Sequence, residues 1–70
     1  MVGAERVKGM IETFDDAAGL GTVRLDDGRL YPFHCVSLTD GSRRIDEGRR
    51  VEVALGFRVA RVEAVDITSA

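Results

Sequence analysis

Few side chains in this 70-residue sequence can do chemistry, and their spacing narrows what that chemistry is. The single histidine, His34, stands beside the single cysteine, Cys35. A metal centre needs several His, Cys or carboxylate ligands at close spacing. His34 has none placed for it, so no metal is expected. A reactive thiol needs cationic neighbours and exposure. Cys35 has only His34 beside it and reads as a small, half-buried apolar residue. The acidic pairs Asp26-Asp27 and Asp46-Glu47 run into glycine, which marks them as turns rather than as acid–base partners. No nucleophile–base pair and no phosphate-cradling loop stands out. The sequence therefore reads as non-enzymatic, with no cofactor and no small-molecule substrate.

What remains is ionic. Nine of the ten basic residues are arginine, whose planar fork of donors suits phosphate and stacks on bases. The net charge is −2, a poor start for a nucleic-acid binder, because phosphate neutralisation supplies most non-specific affinity. Taken one at a time, most of the arginines read as solubilising surface charge. Lys8 and Arg24, with Arg58 and Arg61, are the cations expected near a common face. Glu12, Asp15 and Asp16 oppose them. Arg43-Arg44 and Arg49-Arg50 are expected to lie away from that face.

The elements that position these groups are strands. Residues 1–70 make one domain with a small core, 44% apolar and 31% charged, as a folded soluble chain is. No apolar run is long enough to span a membrane. The first residues meet charge at once, unlike a signal peptide. One cysteine forms no internal disulfide, and a reducing cytoplasm is the expected setting. Short apolar runs broken by turn residues, without helical periodicity, predict five strands. They are expected at Arg6 to Phe14, Leu20 to Leu25, Arg29 to Cys35, Arg49 to Leu55 and Val59 to Thr68. Gly21, Val23 and Leu25 alternate with Leu20, Thr22 and Arg24, so Arg24 points outward. Asp26-Asp27-Gly28 signals a hairpin. Tyr31 and Phe33 are expected inward, Pro32 and His34 outward, with a free strand edge at Pro32. Val36-Ser37-Leu38 suggests one helical turn, and Gly56-Phe57-Arg58 a turn into the last strand. Closing five short strands into a barrel hides one face and removes most edges. The expected class is thus an all-β, five-stranded antiparallel OB-fold barrel.

An ordered set of short motifs sharpens this expectation. It runs Gly9-Met10-Ile11, Phe14, Gly19-Leu20-Gly21-Thr22-Val23 and Asp26-Asp27-Gly28. It continues with Phe33-His34, Leu38, Asp40-Gly41, Ile45-Asp46-Glu47-Gly48-Arg49-Arg50-Val51 and Glu63-Ala64-Val65-Asp66-Ile67-Thr68. In this order the chain resembles the cold-shock domain family over almost its whole length. The resemblance implies a five-stranded OB barrel that binds single-stranded RNA or DNA on the face of strands one to three. There, aromatic rings stack on bases and basic side chains follow the backbone.

The departures from the family are concentrated on that face. The first strand of the family ends Lys-Trp-Phe-Asn, where this chain has Glu12-Thr13-Phe14-Asp15. The second reads Lys-Gly-Phe-Gly-Phe-Ile, here Ala18-Gly19-Leu20-Gly21-Thr22-Val23. The third reads Val-Phe-Val-His-Phe, here Tyr31-Pro32-Phe33-His34-Cys35. Ser42 lies near the place of a further ring, and residues 57–62 replace a glycine-proline loop. The nucleic-acid-binding residues that the resemblance implies are His34, Phe14, Leu20, Thr22, Arg24 and Lys8. Phe14 reads equally as a plug for the barrel end, and packing is favoured. Phe57 has no counterpart in the family and reads as a new ring or as a turn residue. With most rings gone, weak binding of single-stranded RNA or DNA is expected. The alternative is a protein-interaction or self-association module, a homodimer included, on a mildly apolar patch of Leu20, Thr22, Pro32 and Cys35.

Overall fold

A computed structural model of the chain describes residues 6–58 and 61–70; the side chains of Phe57, Arg58 and Arg61, and the roles expected of them, lie outside the described residues. The strands are β1 (Val7–Asp15), β2 (Leu20–Leu25), β3 (Leu30–His34), β4 (Arg50–Arg58) and β5 (Arg61–Ser69). One 3-10 turn, Cys35–Ser37, follows β3. The strands form a single antiparallel sheet in the order β3-β2-β1-β4-β5. No helix among the described residues is long and apolar enough to cross a membrane.

The alternation read in the sequence builds the core. Ile11 of β1, Val23 and Leu25 of β2, Phe33 of β3, Val51 and Val53 of β4, and Ala64 and Ile67 of β5 are all buried together. One sheet can enclose its own inner face only by curling. The end strands β3 and β5 come into contact, and Leu38 bridges Ile67 in parallel. The ladder itself does not close between β3 and β5 among the described residues.

Two irregularities sharpen the curl. The β1–β2 register shifts between Ile11 and Thr13, and the β4–β5 register shifts between Glu52 and Ala54. Opposite the second shift Asp66 adopts φ 50°, a left-handed conformation that aspartate tolerates better than most residues. Arg6 ties this bulge down, its guanidinium donating to the carbonyls of Asp66 at 2.8 Å and Glu52 at 2.9 Å. Bulges of this kind bend a strand and increase its twist.

The turn expected at Gly56-Phe57-Arg58 is not there. All three residues belong to β4, paired with Glu63, Val62 and Arg61. Gly56 is a glycine within a strand because Val65 crowds it, its Cγ2 lying 3.2 Å from where a Cβ would stand. The stretch Ala18 to Val23 has a similar explanation. Gly19 turns the chain at φ 68° and donates its N–H to the Asp15 carbonyl at 2.8 Å. Gly21 lies in register between Phe14 and Phe33. Those two rings stack over it at 5.8 Å and 12°.

Candidate nucleic-acid interface

The outer face of β1, β2 and β3 is an array set by register. Asp15, Leu20 and His34 form one row, Thr13, Thr22 and Pro32 the next, and Met10, Arg24 and Leu30 the third. Exposed Lys8 continues the face along β1. Five of the six residues named from the sequence thus share one surface. Phe14 does not. It is half-buried, packs against the core and stacks on Phe33, which is the packing role favoured for it.

The bulge in β1 matters to this face. It places two consecutive side chains, Glu12 and Thr13, on the outside. The Thr13 and Thr22 hydroxyls bond to each other at 2.8 Å. Glu12 grips Arg24 side-on, Oε1 to Nε at 2.9 Å and Oε2 to Nη2 at 3.3 Å. The hydrogen bond from Arg24, and then its charge, holds the Glu12 carboxyl below the usual glutamate range, and Glu12 raises Arg24 in return. His34 accepts the Val36 N–H on Nδ1 at 3.2 Å, capping the 3-10 turn. A neutral ring then carries its proton on Nε2, as the donor left for a ligand.

Other expectations shift. Cys35 does not join the apolar patch. It packs against the core and donates its N–H to Gly19 at 2.8 Å, one residue out of step with the outward row. Leu30, in register with Arg24 and 49% exposed, extends the patch instead from Leu20 at 45%. Leu30 was readable from its alternation with Tyr31. Nor do the arginine pairs all lie away from the strands. Arg50 reaches Asp26 of the β2–β3 turn at 2.9 Å, and Arg44 reaches Asp16 of the β1–β2 turn at 3.2 Å. Arg29 pairs with Asp27 at 2.8 Å and lies 5.6 Å from the Tyr31 ring centre. Turn carboxylates thus pair with Arg29, Arg44 and Arg50 beside this face.

Apart from this face, a cleft of about 460 Å³ opens under the β3–β4 loop over Leu38, Ile45 and Ile67. Arg44 and Arg49 line it together with Asp40 and Asp46. Its polar groups answer one another: Thr39 bonds Thr68 at 3.1 Å, and Arg49 approaches Ser69 at 3.4 Å.

The described residues define a small all-β protein whose ordered outer array is a sheet face. No protein-family model matches the chain, and no curated protein sequence matches it significantly.

The carboxylates give a pH prediction. Glu12 is depressed by Arg24, Asp27 by the Arg29 backbone N–H and then its side chain, and Asp40 chiefly by Ser42. A carboxyl depressed in the folded state stabilises above its unfolded pKa, and that contribution is lost as pH falls through the folded value. The urea midpoint is expected to hold down to about pH 5 and to fall below about pH 4. Because the Glu12–Arg24 pair is open to solvent, Glu12→Gln should flatten that acid limb only slightly. An unchanged limb would show that the Glu12–Arg24 pair adds nothing to stability.

Proposed function

We propose that this chain is a non-catalytic, cold-shock-like protein that binds single-stranded RNA or DNA weakly on the outer face of an OB-type barrel. The observation that carries the reading is the register, which gathers Lys8, Leu20, Thr22, Arg24 and His34 on one surface. The ordered motifs of the sequence support it, as does a five-stranded antiparallel sheet curled until its end strands touch. A cytoplasmic setting is part of the proposal.

Low affinity follows from the surface. Base stacking contributes about 1–3 kcal/mol per ring in such sites. Thr13, Leu20, Thr22 and Pro32 offer none, and Arg24 is already paired. Binding should resemble the non-specific range, with Kd about 10⁻⁴ to 10⁻⁶ M and falling affinity as salt rises. A titration with a pyrimidine-rich strand at low salt, followed by amide chemical shifts, tests this. Leu20, Thr22, Arg24 and His34 should move. Shifts confined to β4 and β5, or none at low salt, would overturn the reading.

The exposed Leu20 and Leu30 favour a second reading, a protein-binding or self-associating face. Sedimentation from dilute to concentrated solution separates the two. A strict monomer that binds the strand supports the first. A concentration-dependent dimer that ignores it supports the second.

A further inference from the structure

We infer that Glu12 is a built-in competitor for phosphate: it occupies Arg24 on the outer face and thereby sets how tightly that face holds a phosphodiester. This deepens the nucleic-acid reading and rests on it. All three guanidinium nitrogens of Arg24 are engaged. Nε and Nη2 meet the two Glu12 oxygens at 2.9 and 3.3 Å, and Nη1 approaches the Gly28 carbonyl at 3.5 Å. Two parallel N–H···O contacts from one guanidinium are also how arginine takes a phosphate. The carboxylate therefore fills the geometry a ligand would use.

Two features set this pair apart from an incidental surface contact. Glu12 reaches the outer face through the β1 bulge at the Ile11–Thr13 shift, which delivers an extra side chain there. The pair is also open to solvent, its side chains 44% and 34% exposed, so it contributes little to folding and can be displaced. Arg24 lies in the array between Met10 and Leu30, where a strand crossing the face would pass. Lys8, by contrast, makes no ion pair among the described residues, so the face keeps one unmasked cation for weak binding.

The test is a double-substitution cycle on the whole chain, with an oligothymidylate probe titrated at several salt concentrations. Glu12→Gln is expected to tighten binding about three- to tenfold and to steepen the salt dependence by about 0.7 in logarithmic slope, one phosphate contact on a single strand. Arg24→Gln alone should change affinity less than about twofold, since that charge is already occupied. Combined with Glu12→Gln it should abolish the gain. Amide spectra of each variant confirm the fold. If the parent chain binds and Glu12→Gln gains nothing, or gains as much without Arg24, the competitor role falls and the binding face survives. If neither chain binds at low salt, both fall.

Discussion

Placing rings on the outer array by Thr13→Trp, Leu20→Phe and Thr22→Phe is expected to raise affinity for a short pyrimidine-rich strand about a hundredfold. The side chains at these positions stand outward in two adjacent rows, and Thr13 and Leu20 are exposed. Three rings at about 1–3 kcal/mol each sum to more than this. They will not add fully, because residues 13 and 22 are direct cross-strand partners. About 3 kcal/mol net, at 1.4 kcal/mol per tenfold, gives the hundredfold. The substitutions also remove the Thr13–Thr22 hydroxyl bond of 2.8 Å. It lies at the surface, so the urea midpoint should move little. Tryptophan fluorescence reads the titration directly. Stacking adds no charge, so affinity should rise at every salt concentration with the slope unchanged. Glu12→Gln should instead change the slope. A folded triple variant that binds no better than the parent chain would show that the strand does not lie on this face.

How much of this was legible in the sequence depends on the kind of contact. The alternation around Val23 and Leu25 fixes which side of β2 is buried, because a strand has a period of two. The same period placed Arg24, Pro32 and His34 outward without any knowledge of the sheet order. Asp26-Asp27-Gly28 marked its hairpin because Gly28 takes φ 94°. The β1 bulge had no such mark. Ile11-Glu12-Thr13 holds neither glycine nor proline, and the slip in alternation, with Ile11 and Phe14 both against the core three residues apart, reads equally as a strand ending at Thr13. Its consequence, the Glu12–Arg24 grip, therefore emerges only from the paired strands. Gly56 misled in the opposite direction. Glycine reads as a turn, whereas here it relieves the crowding of Val65 against β4. The pairings of Arg44 with Asp16 and Arg50 with Asp26 join residues far apart in sequence, and only the curled sheet brings them together.

The outer array and the core meet at Gly21, and Gly21→Ala is expected to be the most damaging small substitution in β2. Its neighbours Leu20 and Thr22 point outward, so a Cβ on residue 21 points inward. There it would stand 2.7 Å from Cε1 of Phe33 and closer still to the Thr13 carbonyl oxygen. Phe33 has nowhere to go, being 1% exposed and stacked on Phe14. The Thr13 carbonyl is backbone and moves only if β1 moves. Overpacking a core costs about 1–3 kcal/mol and occasionally more. With a backbone clash added, about 3 kcal/mol or more is expected, and a core of this size rarely supplies more than about 3–5 kcal/mol in total. Most of the chain should then be unfolded at 25 °C, visible as lost amide dispersion. Gly28→Ala is the control, because there φ is positive, unlike at Gly21, but the space is open. It should cost only about 1–2 kcal/mol, the penalty of a side chain in the left-handed region. Adding Phe33→Leu to Gly21→Ala should rescue in part, since it frees the ring contact and leaves the Thr13 carbonyl in place. Equal losses from Gly21→Ala and Gly28→Ala would mean that the rings do not lie over β2. The register that turns Leu20 and Thr22 outward would then lose its footing, and with it the proposed interface.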